Sequence, residues 1–293
     1  MSSELFEALL TIITIFLILL AVVLLIAYYI YHQIMKLPEN TPDKYNRQKN
    51  EKIRKNTVVA CIGDSITHGR MSTNYVRILR QRFGSEYEFI NAGIDSNLAW
   101  NVLERLDEII QCEPDIITIL IGSNDANAVL SPFNLQDYIK RMKLPQSPDL
   151  EWYKSSLKKI ITRLKNETQA QLVLLTLPTI GESPESKYFL HTRKYSVVIQ
   201  EIAQEYEIEC LPLQDRMISY FLKNPATPRF TYEKGRSLSL WSAIQRYLLL
   251  RSWDSISKKA GFKLHLDYLH LNTRGATMIA DLIEGSIKSR ITN

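Results

Sequence analysis

Thr57-Val-Val-Ala-Cys-Ile-Gly-Asp-Ser65 contains the strongest structural signal in the chain. Its first part, residues 57–62, is apolar almost throughout and does not alternate with polar residues, which predicts a strand buried on both faces. The Gly-Asp-Ser that follows is typical of a turn at the end of such a strand. We therefore expect Ser65 to lie at the edge of a sheet, where its side chain reaches a cleft.

Similar apolar runs predict further strands at residues 87–90, 116–121, 172–177 and, more weakly, 208–213. Between and after these runs, the sequence predicts helices at residues 75–83, 98–111, 150–164, 187–206 and 273–290. Asn272 is expected to cap the last of them. Strands that alternate with helices indicate the α/β class, with a parallel sheet that helices cover on both faces.

Three polar or small residues follow three successive predicted strands. Ser65, Gly93 and Asn124 each come just after an apolar run. In open parallel sheets the carboxyl ends of the strands line the crevice where ligands bind. These positions are therefore expected to converge on one pocket, although they are far apart in the sequence.

These residues and the Asp267-Tyr-Leu-His270 motif supply the groups needed for acyl transfer. A serine hydroxyl becomes a good nucleophile when a base takes its proton. One turn can bring the carboxylate of Asp267 to Nδ1–H of His270, which leaves Nε2 for the hydroxyl of Ser65. Gly93 and Asn124 are candidate donors to the oxyanion that develops in such a reaction. Each residue alone fits a cap or a turn, so the prediction depends on their joint occurrence.

The four motifs together resemble the SGNH (GDSL) hydrolase superfamily over residues 56–293. They are Gly63-Asp64-Ser65 with Ile66-Thr67, Asn91-Ala92-Gly93, Gly122-Ser123-Asn124-Asp125 and Asp267-x-x-His270. The resemblance implies a flavodoxin-like three-layer α/β/α fold with a central parallel sheet of about five strands. It also implies that Ser65 is the nucleophile, His270 the base and Asp267 its partner. The oxyanion donors would be Gly93, Asn124 and the backbone N–H of Ser65.

An apolar segment precedes this domain. Residues 8–31 contain no charged side chain and would form a helix of about 36 Å, enough to cross a hydrocarbon core of about 30 Å. We predict an uncleaved transmembrane anchor within residues 1–34. A cleaved signal peptide is the alternative, but the run is long, and acidic Glu4 and Glu7 stand where a basic start is expected.

Basic residues follow the apolar segment and do not precede it. They are Lys36, Lys44, Arg47, Lys49, Lys52, Arg54 and Lys55. The positive-inside rule therefore predicts a single-pass membrane protein with a cytoplasmic catalytic domain, although a large domain on the outer side is not excluded by this rule. Residues 35–55 are expected to form a polar linker.

Residues 215–263 form a long segment ahead of Asp267 and are a candidate lid. Its apolar positions make a helical stripe of Leu238, Leu240, Trp241, Ile244, Tyr247, Leu248 and Trp253. The stripe fits an additional core helix with a solvated basic edge, or a surface that faces the membrane. Both interpretations stay open from the sequence.

Composition narrows the function classes. The 293 residues are 45% hydrophobic with a net charge of +5, and no zinc-finger or RNA-binding pattern occurs, so a nucleic-acid partner is not expected. Cys61, Cys112 and Cys210 show neither metal-ligand spacing nor a disulfide framework, and no cofactor is expected.

We therefore predict a membrane-anchored serine esterase that hydrolyses lipid-like or acylated carboxylic esters and has the bilayer as a partner. An O-deacetylase of an envelope or cell-surface glycan is the alternative enzyme. A non-catalytic, membrane-tethered binding module is the alternative from another class.

Overall fold

A parallel sheet of five strands forms the centre of the domain. The computed structural model describes residues 3–49 and 56–291. The strands are β1 (Thr57–Gly63), β2 (Tyr87–Gly93), β3 (Ile116–Leu120), β4 (Gln171–Leu175) and β5 (Glu209–Leu211), in the order β2-β1-β3-β4-β5. This order is that of flavodoxin-like doubly wound sheets, which confirms the predicted fold.

Helices connect the strands and continue at both ends of the chain. In the described ranges they are α1 (Ser3–Met35), α2 (Pro42–Lys49), α3 (Ser65–His68), α4 (Tyr75–Phe83), α5 (Ala99–Glu104), α6 (Leu106–Ile110), α7 (Ser123–Ala128), α8 (Pro132–Arg141), α9 (Leu150–Glu167), α10 (Lys187–Glu205), α11 (Leu213–Lys223), α12 (Gly235–Tyr247), α13 (Trp253–Ala260) and α14 (Thr273–Ile291). Short 3₁₀ helices occur at Gly84–Glu86 and Tyr232–Lys234. Asn272 caps α14 as predicted, since its Oδ1 accepts the N–H of Gly275 at 3.1 Å.

Alternate residues of β1 face opposite layers of helices. Val58, Ala60 and Ile62 pack with α5, α6, α9 and α10, whereas Val59 and Cys61 pack with α4, α11 and α14. This is the arrangement expected of a strand without polar alternation. Burial also raises the pKa of Cys61 to about 12, so this thiol is an inert part of the core.

Several predicted elements have different boundaries in the structure, among them one helix and the last strand. The single helix expected at residues 98–111 is divided into α5 and α6 at Arg105. The guanidinium of Arg105 donates to the carbonyl oxygens of Ala92 at 2.7 Å and Gly63 at 3.3 Å, so it holds the ends of β1 and β2 together. The weak strand expected at residues 208–213 is shorter, because Leu213 already begins α11.

The segment before the domain contains one helix that is long and apolar enough to cross a membrane, over Phe6–Met35 of α1. The predicted linker that follows is partly folded onto the domain. Asn40 accepts the N–H of Asn91 at 2.7 Å and donates from Nδ2 to the carbonyl of Phe89 at 2.8 Å, which extends the edge of the sheet beside β2. The remainder of the linker, residues 50–55 with Lys52, Arg54 and Lys55, lies outside the described residues.

Residues 215–263 form more than one helix, so the prediction that their apolar positions lie along one helical stripe was wrong. α12 ends at Tyr247, and Trp253 begins a separate helix, α13. Leu238 and Trp253 are buried, whereas Leu240 and Trp241 are exposed. The segment therefore divides its apolar residues between the domain interior and an outer surface.

Candidate active site

Ser65, His270 and Asp267 form a continuous series of hydrogen bonds at the carboxyl edge of the sheet. The Oγ of Ser65 lies 3.0 Å from Nε2 of His270, and Nδ1 of His270 lies 2.7 Å from Oδ2 of Asp267. All three side chains are buried. With Nδ1–H donating to the carboxylate, Nε2 carries the lone pair and can accept the proton of the serine hydroxyl.

The carboxylate of Asp267 is held by its own loop. Its Oδ1 accepts the backbone N–H groups of Leu269 at 3.0 Å and His270 at 2.9 Å. Burial alone would raise the pKa of Asp267, but the charge and hydrogen bond of His270 outweigh burial and lower it. Burial alone would lower the pKa of His270, but the charge and the hydrogen bond of Asp267 outweigh burial and raise this pKa.

The turn between these two residues is strained at Tyr268. Its φ of 94° is unfavourable for a bulky side chain. The carbonyl of Tyr268 accepts the N–H of Gly181 at 2.9 Å, and its ring packs edge-on against Phe262 and Tyr232. These contacts hold the turn that places the carboxylate beside the imidazole.

A second buried carboxylate fixes the start of the same loop. Glu182 accepts the backbone N–H groups of Lys263, Leu264 and His265, each at 2.7 Å, and lies 3.0 Å from Nδ1 of the His265 ring. Burial would raise the pKa of Glu182, but the hydrogen bond of His265 and the backbone donors outweigh it and lower the pKa. The sequence analysis did not single out Glu182 or His265, because neither forms a local motif.

The side chain of Asn124 has a defined orientation. Its Oδ1 accepts the hydroxyl of Tyr138 at 2.6 Å, and its Nδ2 donates to the carbonyl of Asn97 at 3.0 Å. An amide nitrogen has two hydrogens, so the second one remains for a ligand. Tyr138 lies on α8, a helix that the sequence analysis did not predict, and it is the residue that fixes which way the amide points.

The backbone N–H of Gly93 is hydrogen-bonded within the protein. It donates to Oδ1 of Asn91 at 3.0 Å, so it is engaged within its own strand. A Cβ at Gly93 would lie 2.2 Å from the backbone nitrogen of His68, which means that glycine here allows α3 to pass close to β2. Ser96, three residues further on, has a φ of 64°, and in the described part of the chain its N–H has no acceptor.

Asp64 is a buried carboxyl group next to the candidate nucleophile. Its Oδ1 accepts the N–H of Ile66 at 2.9 Å, which caps α3, whereas Oδ2 has no partner among the described residues. Burial raises the pKa of Asp64 to about 7. Burial also lowers the pKa of His68, whose ring is enclosed near the same helix.

A hydroxyl, an imidazole and a carboxylate in series, at the carboxyl edge of a doubly wound parallel sheet, define the class of serine hydrolases. The chain belongs to the GDSL-like lipase/acylhydrolase family, whose profile matches residues 61–277. It is therefore an ester-hydrolysing enzyme, and the alternative of a non-catalytic module is set aside. No curated protein matches the sequence significantly.

Solved structures share the fold at low sequence identity. An acetyl xylan esterase, AlAXEase, is 19% identical with a TM-score of 0.58, over 78% of this chain and 99% of that protein. The acetylxylan esterase Axe2 from Geobacillus stearothermophilus is 18% identical with a TM-score of 0.54, over 79% and 94% of the two chains. An α/β hydrolase from the metagenome of Lake Arreo, Spain, is 17% identical with a TM-score of 0.54 over the same shares.

We expect the kcat/KM of the enzyme for an activated ester to rise with pH and then level off. Protonated His270 cannot accept the proton of Ser65, so activity should be lost as the pH falls through the pKa of His270. Because that pKa is raised, the midpoint should lie above about 6.5, the ordinary value for histidine. A pH–rate profile measures it, and a flat profile would contradict the assignment of His270 as the base.

The charge of Asp64 contributes to the raised pKa of His270. An Asp64→Asn variant should therefore shift the rising limb of the profile towards lower pH. An unchanged limb in a stably folded variant would show that Asp64 does not act on His270.

Proposed function

We propose that this protein is a membrane-anchored serine esterase in which Ser65 is the nucleophile, His270 the general base and Asp267 the residue that orients it. The observation that supports these roles is the hydrogen-bond series from Ser65 Oγ, through both ring nitrogens of His270, to Asp267. The family supplies the reaction class, hydrolysis of esters, and the geometry supplies the residues.

In the proposed reaction, Ser65 Oγ attacks the ester carbonyl carbon while its proton passes to Nε2 of His270. The carbonyl oxygen becomes an oxyanion, which accepts the free N–H of Asn124 Nδ2 and the backbone N–H of Ser65. The C–O bond to the alcohol then breaks, and His270 returns the proton to the leaving alcohol. Water then attacks the acyl-serine while its proton passes to Nε2 of His270. The bond between the acyl carbon and Ser65 Oγ breaks, His270 returns the proton to Oγ, and the carboxylic acid leaves.

Two further backbone donors lie at the end of β2 and in the loop that follows it, at Gly93 and Ser96. Ser96 N–H is free of other acceptors in the described residues, which favours it as the third oxyanion donor. Gly93 N–H would serve only if its bond to Asn91 Oδ1 opened. Both N–H groups are candidates for the third oxyanion donor, and removal of one donor is expected to cost about 10²–10³ in kcat.

The anchor is proposed to be α1, with the hydrolase domain on the cytoplasmic side. The length and apolar character of Phe6–Met35 support a membrane span, and the basic residues that follow it support this orientation. We expect protease added outside intact cells to leave the domain undigested and protease added after permeabilisation to digest it. Digestion from outside would reverse the orientation.

Two substrate classes follow from different observations. The exposed apolar helix α1, which would place the domain at a bilayer, favours an ester with a lipid-like acyl chain. The acetyl xylan esterases that share the fold favour the second candidate, O-deacetylation of a glycan. That second function would require the domain to face outwards if the glycan belongs to the envelope.

We expect p-nitrophenyl esters to be hydrolysed faster as the acyl chain lengthens. Each buried CH₂ contributes about 0.8 kcal/mol, so kcat/KM for the octanoate should exceed that for the acetate by at least about tenfold. The full chain in detergent is measured against its Ser65→Ala variant as the blank. Activity confined to the acetate would overturn the lipid-like substrate in favour of the O-deacetylase.

A further inference from the structure

We propose that the leucine loop, residues 248–250, inserts into the bilayer leaflet next to the C-terminal turns of α1, so that the active site receives its ester from that leaflet. The proposal deepens the function proposed above and rests on it. Four observations support it. They are the excess length of α1, the contact between α1 and α12, the exposure of the loop, and the connection of the α1–α12 contact to the candidate triad.

α1 is longer than a membrane requires. The apolar part, Phe6–Met35, has 30 residues. At ~1.5 Å per residue it spans about 45 Å, whereas a hydrocarbon core of about 30 Å needs about 20 residues. The first two thirds of this helix, residues 6–25, are exposed, so this part has the surface that lipid would cover. The last turns are left to contact the protein at the edge of the bilayer.

Those last turns pack against the domain. Residues spaced four apart lie on one face of a helix, and Ile26, Ile30 and Ile34 have this spacing. They form a cluster with Met71 and with Ala243, Ile244 and Tyr247 of α12. This contact fixes the position of α1 relative to the C-terminal turn of α12. The leucine loop begins where that turn ends.

Polar contacts hold the same junction. The guanidinium of Arg70 donates to the carbonyl oxygen of Gln33 at 2.8 Å and to its Oε1 at 3.0 Å. The hydroxyl of Tyr247 in turn donates to the carbonyl oxygen of Arg70. Gln33, Arg70 and Tyr247 thus join the end of α1, the loop after α3 and the end of α12.

The leucine loop has the surface expected of a membrane contact. Leu250 is 81% exposed, and Leu248 and Leu249 are exposed beside it. Three consecutive exposed leucines are unusual for a surface in water. Arg246 and Arg251 flank the loop and hold its base, since Arg246 donates to the carbonyl oxygen of Arg251 at 3.1 Å and Arg251 donates to Oε1 of Gln245 at 2.7 Å. Because the leucine loop directly follows the helix that contacts α1, we infer that the bilayer covers this loop.

The junction between α1 and α12 is also connected to the segments that carry Ser65 and His270. The loop that carries Arg70 begins after α3, whose first residue is Ser65. Further along this loop, Ser72 Oγ accepts the N–H of Leu271 at 3.0 Å, and the N–H of Thr73 donates to the carbonyl of Leu271 at 3.0 Å. Leu271 directly follows His270. The contact with α1 therefore holds the nucleophile and the base at one height relative to the membrane.

Site-directed spin labelling of the full chain in phosphatidylcholine–phosphatidylglycerol vesicles tests the position of the loop. A nitroxide is attached to a Leu250→Cys variant, with Cys210→Ser to remove the partly exposed native thiol. The matched control is Leu222→Cys on α11, where the leucine is 71% exposed but belongs to a helix that packs on α14. We expect the label at position 250 to be accessible to oxygen and shielded from a polar nickel chelate, and the label at 222 to show the reverse.

An aqueous environment at position 250 would overturn the proposal. Shielding from both relaxing agents would also overturn it, because a second copy of the chain or another protein would then cover the loop.

Activity measurements separate this inference from the proposed function. The variant with Leu248→Gln, Leu249→Gln and Leu250→Gln should hydrolyse a long-chain ester embedded in the vesicles about tenfold more slowly and p-nitrophenyl acetate at the unchanged rate. Leu222→Gln should change neither rate. Equal rates for the triple variant and the original chain on both substrates would overturn the leaflet route while leaving the esterase intact. Absence of activity on both substrates in the original chain would instead contradict the proposed function.

Discussion

Replacing Ser65 by alanine should lower kcat for ester hydrolysis by about 10⁴ to 10⁶, the range known for loss of a catalytic serine. The substitution removes the atom that forms the acyl-enzyme, and the base alone cannot replace a covalent intermediate. Folding should be little affected, because Oγ makes its hydrogen bond to His270 and the loss of one such bond costs about 1 kcal/mol. Rates and thermal unfolding are measured on the same detergent-solubilised preparations.

A fluorophosphonate probe makes this test independent of the substrate. The probe should label the original chain and fail to label Ser65→Ala. Ser196→Ala is a matched control, since Ser196 is also buried and uses its Oγ in one hydrogen bond, from the N–H of Leu177 at 3.1 Å. That variant should be labelled normally. Labelling that survives Ser65→Ala would remove Ser65 as the nucleophile.

Replacing Asp267 by asparagine should lower kcat by about 10³ to 10⁴. The amide can donate to Nδ1 of His270 and so place the proton on Nε2, where the ring can no longer accept the proton of Ser65. The pKa of His270 should also fall, because the carboxylate that raises it is gone. KM should change little, since Asp267 contacts the base and its own loop. Steady-state kinetics as a function of pH measure all three effects.

Glu182→Gln provides the matched control for this substitution. It makes the same change in a second buried carboxylate–imidazole pair, where Glu182 contacts His265. Because Glu182 binds three backbone N–H groups and lies outside the triad, we expect a lower melting temperature with a much smaller loss of kcat. Comparable losses of kcat in the two variants would indicate that Asp267 acts through loop stability alone.

The positions of the strands and of most long helices could be predicted from the sequence. Residues 57–62 were recognisable because a strand buried on both faces carries apolar side chains at every position, a pattern confined to a few neighbouring residues. The cap at Asn272 and the pairing of Asp267 with His270 are also local, since each depends on atoms within one turn. Boundaries were less accurate: the break at Arg105 arises from contacts with the ends of β1 and β2, which the helix's own sequence does not contain.

The candidate site depended on more distant contacts. Ser65 and His270 are 205 positions apart, and their hydrogen bond exists because the strand order brings both loops to one edge of the sheet. The same applies to Tyr138, which orients Asn124, and to the docking of α1 on α12. The motif that contains Gly93 predicts an oxyanion donor, and only the folded chain shows that its N–H bonds to Oδ1 of Asn91 when no substrate is bound.

Apolar periodicity thus sufficed for the α/β class, and the resemblance of four short motifs to a known family indicated the family and the candidate triad, since these are properties of short segments. The direction of an amide, the availability of an N–H group and the exposure of the leucine loop required the folded chain. They depend on which segments pack together, and packing brings together residues that are far apart in the sequence and form no local pattern.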